Sequence, residues 1–253
     1  ADGVSILGPD TGDQACGETG MGRMVEPEAL VAEVAALLGP KRLAGKRVLV
    51  TAGPTFEPID TVRGLTNLSS GKMGFAVAQA AAEAGAAVTL VAGPAALPTP
   101  VGARRESVTT GREMHAAVMA HAAKSDVFIA VAAVADYRVA DPKDFKLKKG
   151  AGAPKLDLVE NPDILGAVVG LPNPPFCVGF AAETENLREH AQAKRKQRGV
   201  PLLAANLAQH AFGADDNALT LFDDAGEHEL ARAPKIELAR QLVAHIARLL
   251  EKR

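Results

Sequence analysis

Residues 47–92 read RVLVTAGPTFEPIDTVRGLTNLSSGKMGFAVAQAAAEAGAAVTLVA. Arg47–Thr51 (RVLVT) is an apolar, β-branched run without alternation, the pattern of a strand covered on both faces. Gly71–Ala84 carries small and apolar residues at helical spacing, and Ala87–Ala92 (AVTLVA) is a second buried strand. Two buried strands joined through a helix make a βαβ unit, which demands a parallel sheet with helices packed on it.

The same alternation continues downstream. The reading places a helix at Gly111–Lys124, opened by the capping box Thr110-x-x-Glu113, and a strand at Asp126–Val131. A shorter helix follows at Asn161–Val169, then a strand at Phe176–Ala181, a charged helix at Asn186–Arg198 and a strand at Pro201–Ala205. The expected fold class is therefore α/β, a Rossmann-like, doubly wound and mostly parallel sheet. Asn217–Phe222 and Glu227–Ala231, separated by DDAG, read as an appended C-terminal β-hairpin serving as a sheet extension or a dimer arm. Pro234–Leu250 closes the chain as an amphipathic helix with Pro in its first turn. Upstream, Glu26–Leu38 spaces Leu30, Val31, Val34, Leu37 and Leu38 along one helical face, and Gly39-Pro40 stops it. The polar segment Lys41–Lys46 reads as a flexible linker, so the expected division is residues 1–40 and residues 41–253.

Composition narrows the function classes. With 253 residues, 47% hydrophobic and 23% charged, the chain has material for an ordinary core, which excludes disorder and collagen. A net charge of −2 provides no global basic field for nucleic acid or an anionic membrane, so any anion site must be local. Two cysteines, Cys16 and Cys177, cannot build a disulfide framework, and no apolar run reaches the ~20 residues of a membrane span. The N-terminus has no secretory pattern and no Met; the expectation is a cytoplasmic protein seen as a fragment of a longer chain.

Chemistry-bearing groups fall after strands, where an open α/β sheet places its ligands. Asn67-Leu-Ser-Ser-Gly-Lys-Met-Gly74 opens a helix, so hydroxyls, amide groups and the helix dipole face a common point suited to phosphate, although Ser69 or Ser70 as an ordinary cap is the plain reading. Six residues between Gly64 and Gly71, and Met73 after Lys72, break the Walker A pattern. No G-x-G-x-x-G joins strand to helix, which disfavours a nicotinamide-dependent oxidoreductase; a non-catalytic nucleotide-binding subunit is the other alternative. Ala132-Ala-Val-Ala-Asp136-Tyr-Arg138 offers small residues for close ligand approach and a carboxylate for a metal ion or ribose. Pro142–Lys155 holds Lys143, Lys146, Lys148, Lys149 and Lys155 among glycines, either a solvated face or a lid over polyphosphate. Asn161-Pro-Asp-Ile164 could start a helix or read a base edge, and Phe180 could stack on a base or fill the core. The six histidines lack zinc-site or H-E-x-x-H spacing, and there is no G-x-S-x-G elbow.

Taken in order, TAGPT-x-E-P-x-D-x-V-R, N-x-S-S-G-K-M-G-F-A, A-A-V-A-D-Y-R, K-x-K-K, N-P-D-I and V-G-F-A-A-E-T resemble the phosphopantothenoylcysteine synthetase family, over about residues 45–250. The resemblance implies CTP-dependent ligation of 4′-phosphopantothenate and L-cysteine through an acyl-cytidylate, as a step of coenzyme A biosynthesis. It assigns Asn67 to the acyl-phosphate and the second half-reaction, Ser69 to the nucleotide, and Ala130, Val131, Ala132 and Phe180 to the frame of cytosine and ribose. Asn161, Pro162, Asp163 and Ile164 would read the base, and Lys194 with Arg198 would meet phosphate or ribose. Arg198 stands where the family pattern has Lys and keeps the charge. Lys146 becomes the lid lysine at the triphosphate, and Asp136 the carboxylate linked to Mg²⁺ or Mn²⁺. A homodimer is also implied, with one protomer's loops completing its partner's site. Residues 8–24, containing Ala-Cys16-Gly-Glu, resemble the substrate clamp that ends the flavin-dependent decarboxylase domain of such bifunctional proteins. FMN would belong to that upstream domain, and Cys16 is expected to have no role without it.

Overall fold

The computed structural model describes residues 6–13, 17–148, 155–183, 186–207 and 215–252. A hairpin of β1 (Asp10–Asp13) and β2 (Thr19–Arg23) precedes α1 (Pro27–Leu38). Strand β3 (Arg47–Ala52) is followed by a small hairpin, β4 (Phe56–Pro58) and β5 (Gly64–Thr66), before α2 (Lys72–Glu83). Next come β6 (Ala87–Ala92), β7 (Ala103–Ser107), α3 (Gly111–Ala122) and β8 (Val127–Ala130). A second small hairpin pairs β9 (Tyr137–Val139) with β10 (Leu158–Glu160). The remainder is α4 (Ile164–Val169), β11 (Phe176–Glu183), α5 (Leu187–Arg198), β12 (Leu202–Leu207), β13 (Asp216–Asp223), β14 (Gly226–Pro234) and α6 (Lys235–Glu251).

Eight strands form the central sheet in the order β14-β13-β12-β11-β8-β3-β6-β7. Six are parallel, and β13 and β14 extend the edge antiparallel. Numbered along the chain, the parallel strands lie in the doubly wound order 3-2-1-4-5-6, which reverses between β3 and β8. Both faces are covered, which explains the unalternating strands. Along β3, Val48, Val50 and Ala52 enter one core with Phe75 and Val77 of α2 and Leu238, Leu242 and Ile246 of α6. Leu49 points the other way, joining Met114 and Val118 of α3, Ile164 and Val168 of α4 and Ala191 of α5. Each such fully buried aliphatic side chain contributes about 1.5–3 kcal/mol of hydrophobic stabilisation. The appended hairpin thus serves as a sheet extension within the chain.

The capping box is present: the Thr110 hydroxyl accepts from Glu113 N at 3.1 Å and the Glu113 carboxylate accepts from Thr110 N at 3.4 Å. Several expectations require correction. Residues 41–46 are not a loose linker, because Leu43 is buried in the core and its N–H donates to Ala84 O at 2.8 Å. The apolar stripe of α1 is not covered: Val31, Val34, Leu37 and Leu38 are exposed, Leu38 by 82%, since no layer of the described chain packs over them. Helix α4 starts at Ile164, not Asn161, because the Asp163 carboxylate caps it by accepting from Gly166 N at 3.0 Å. Pro234 is the N-cap of α6, one residue before its first turn.

Candidate active site

A cavity of about 330 Å³ lies at the carboxyl ends of β3, β8 and β11, at the switch point of the sheet. Close backbone approach builds it. Gly53 follows β3 with φ 77°, and Gly71 precedes α2 with φ 78°. A Cβ on Gly71 would stand 3.2 Å from Gly53 Cα, and one on Gly74 would stand 2.5 Å from the Cβ of Ala52. These glycines serve the ends of a dinucleotide fingerprint, tight turn and close helix–strand packing, but residues 54–70 separate them, so a linear search for the motif fails. The N-cap of α2 is Gly71 with no side-chain hydrogen bond to the helix; the Ser69 hydroxyl accepts only from Gly71 N, at 3.3 Å. Ordinary capping by Ser69 or Ser70 is therefore not what starts this helix, and its first amide groups face the cavity.

The loops after β3 and β8 are laced together beside it. Ala133 N donates to Gly53 O at 2.9 Å, Ala132 N to Thr51 Oγ1 at 3.3 Å and Ala135 N to Thr55 Oγ1 at 3.0 Å. Asn67, exposed and not itself part of the cavity lining, donates from Nδ2 at 3.0 Å to the backbone oxygen of the wall residue Ala133. Of the residues singled out from sequence, Ser69, Val131, Ala132, Phe180 and Lys194 line the cavity, and Ala130 ends β8 just behind it. Lys194 also pairs with Glu183 at 3.7 Å.

The others lie off this wall. Asp136 is exposed and meets Asn161 through its backbone oxygen, which accepts from Asn161 N at 2.8 Å. Asn161 Nδ2 donates to Ala135 O at 2.9 Å, and its Oδ1 is buried without a partner. Pro162 is half-buried beside it, Asp163 caps α4 and pairs with Arg198, and Ile164 is core. Lys146 is exposed on a segment tied to the β4–β5 hairpin. The tie is Asp60, whose buried carboxylate accepts from Val62, Arg63 and Leu147 N–H groups at 2.8–3.1 Å as well as from the Arg63 guanidinium. Arg63 holds the Asp60 carboxyl far below the usual carboxylate range against the opposing effect of burial. Cys16 and Lys149 lie outside the described residues.

Lys72, the lysine of the Ser-Ser-Gly-Lys stretch read from sequence as suited to an anion, lies on the cavity wall, and three further polar residues there were not singled out as ligands: Asn206, Asn217 and Lys235. Among the described residues, the one group of His and carboxylate atoms close enough for a metal ion is Asp223, His228 and His245, away from this cavity. Arg248 can only donate, and it reaches His245 Nδ1 at 2.9 Å. His245 Nε2 then carries the proton given to Asp223 at 2.7 Å, a hydrogen-bonded cluster with that nitrogen's lone pair unavailable to a metal.

Comparison with known proteins follows the same lines. The profile of the DNA/pantothenate metabolism flavoprotein C-terminal domain matches residues 43–250. The coenzyme A biosynthesis bifunctional protein CoaBC of Vibrio cholerae is 51% identical over 94% of this chain and 61% of that protein. That of Vibrio vulnificus is 46% identical over 98% of this chain and 63% of that protein, so the chain spans about three fifths of these relatives. A crystal structure of the C-terminal domain of CoaBC superposes with a TM-score of 0.73 at 37% identity, covering 84% of this chain and all of that one. The chain belongs to the DNA/pantothenate metabolism flavoprotein C-terminal domain family.

Proposed function

We propose that this chain is the ligase part of a coenzyme A biosynthesis protein and joins 4′-phosphopantothenate to L-cysteine at the expense of CTP. The observation that carries this reading is the switch-point cavity, in which the amino end of α2 and three lysines surround a floor of small residues. A carboxylate does not react with an amine, so it must first become a mixed anhydride. In this reading the 4′-phosphopantothenate carboxylate attacks the α-phosphorus of CTP, the bond to pyrophosphate breaks, and an acyl-cytidylate results. The cysteine amine then attacks the acyl carbon, CMP leaves with the bonding electrons, and the amine proton passes to solvent.

Such chemistry needs positioning and charge neutralisation more than covalent participation by the protein. Gly53, Gly71 and Ala132 let phosphate and ribose lie on backbone, Phe180 offers a ring edge or face, and Lys194 adds positive charge. Asn67 stands beside Ala133, where its amide could hold the acyl-phosphate for the second step. The carboxylate of Asp136 suits a hard cation such as Mg²⁺, which takes one or two carboxylates and completes its shell with water and substrate phosphates. Mg²⁺ would neutralise triphosphate charge there. Because Lys146 lies off its own cavity wall, a homodimer in which it reaches the partner's nucleotide is part of the proposal, as is an upstream decarboxylase domain of the kind the bifunctional relatives imply.

The test is an assay of the chain with CTP, Mg²⁺, 4′-phosphopantothenate and cysteine, following both pyrophosphate and amide product. Pyrophosphate release that requires the acid, and amide that requires cysteine, is the expected result. Absence of both, or tight binding of NADH in place of CTP, would overturn the proposal.

A further inference from the structure

Helices α2 and α6 come from distant parts of the chain, yet both begin with a lysine, Lys72 and Lys235. A cation at the first helical position opposes the macrodipole, a cost of about 0.3–1 kcal/mol at an exposed site. Neither residue is placed there by helix chemistry. Both line the same cavity, and Lys235 is only 7% exposed, a rare burial for lysine. Burial pushes the Lys235 ammonium down from its ordinary value, and the nearby charge of Lys72 pushes the same way. Asp215, which pairs with Lys72 from the solvent side, and Asp216, which Arg232 holds at 2.8 Å, act on Lys235 in the opposite direction. Asn217 and Asn206, 4% and 8% exposed, line the same cavity as the two lysines, together with Val131, Ala132 and Phe180. Two converging helix amino ends, each with its lysine, make a strongly anion-seeking corner.

We infer that Lys72 and Lys235, with Asn217 beside them, form the seat for a phosphate group of the substrates, and that the C-terminal hairpin and closing helix exist in part to bring it to the switch point. This deepens the proposed ligase reading and rests on it. Two substrates carry phosphate, the nucleotide as a polyphosphate and 4′-phosphopantothenate as a monoester, and the seat fits the nucleotide, since the same cavity holds the residues suited to a base and ribose.

The experiment compares wild type with Lys235→Met, Lys235→Arg and Lys72→Gln. Each is titrated with inorganic pyrophosphate by calorimetry and assayed for KM toward CTP and 4′-phosphopantothenate separately. Loss of one charge-assisted phosphate contact should weaken pyrophosphate binding and raise KM for CTP about tenfold or more in Lys235→Met and Lys72→Gln. KM for 4′-phosphopantothenate should hold, and Lys235→Arg should retain most affinity. Lys235→Met should lose pyrophosphate affinity that Lys235→Arg keeps; a merely structural lysine would lower the melting temperature and leave affinity alone, which overturns the inference. A rise in KM for 4′-phosphopantothenate alone would overturn the nucleotide assignment. If wild type binds pyrophosphate but ligates nothing, the ligase reading has failed while the seat stands; if wild type ligates and the variants bind pyrophosphate as well as it does, the seat has failed alone.

Discussion

Asn67 and Gly74 show how single positions divide between chemistry and packing. Asn67 holds Ala133 O through an amide N–H, a contact that a carboxylate cannot make. Asn67→Asp should therefore release pyrophosphate near the wild-type rate and form amide about a hundredfold more slowly, measured by following both products in one reaction; full-rate amide formation would remove Asn67 from the second step. Gly74→Ala acts differently. Its new Cβ would stand 2.9 Å from the Cα of Ala52, against backbone that cannot turn aside, so α2 must lift from β3. The expected loss is about 1–3 kcal/mol, read as a lower denaturation midpoint, and an unchanged midpoint would contradict it. The hydroxyls ahead of a helix, a local signal, marked Ser69, while Asn67 was marked by the resemblance to the synthetase family. Sequence missed Lys72 and Lys235 as a pair, because their meeting is tertiary. A trace was still present: a lysine at the first position of a helix runs against the dipole and asks for a reason.

The elements with long apolar patterns were legible, and those without were not. Strands β3, β6, β8, β11 and β12 lie close to their expected positions because their central residues are apolar and buried on both faces. Strand β7 (ARRES) was missed: it lies on the sheet edge and is largely polar. The β4–β5 and β9–β10 hairpins have three residues per strand, too few for a period. In the terminal hairpin, the Asp223–His228–His245 cluster joins β13 and β14 to α6. Burial lowers His245 below its ordinary value, and neighbouring His228 and Arg248 act in the same direction against Asp223. As pH falls through the ordinary imidazole range near 6.5, the unfolded chain takes up the proton first, so stability present above that range is lost on acidification. For Asp223, burial raises the carboxyl, but hydrogen bonds from His228 and His245 outweigh it and hold it low, so its contribution persists until more acidic pH. Thermal midpoints from pH 8 to 5 should fall for wild type and fall less steeply for His245→Gln. Parallel curves would show that this imidazole does not set the dependence.

Across the whole molecule, the doubly wound order gathers residues from Gly53 to Lys235 onto one side of the sheet, while the lysine segment anchored by Asp60 ends elsewhere. If Lys146 serves a neighbouring subunit, Lys146→Gln and Asn67→Asp chains, each forming little amide alone, should recover roughly a quarter of the wild-type rate of amide formation after random mixing. Half the dimers are then mixed, and each has one site whole. No recovery, in a mixture shown to exchange subunits, would place Lys146 in its own subunit's reaction or in none. The arrangement of Lys72 and Lys235 also sets an order on biosynthesis. A nascent chain halted by the ribosome before α6 emerges holds all eight strands of the central sheet but lacks the Leu238, Leu242 and Ile246 layer of its core and has only part of its cationic corner. Nucleotide capture would then be a late event, arriving when the final helix docks, and an early-released truncation would have a partly uncovered sheet face and little grip on its fuel.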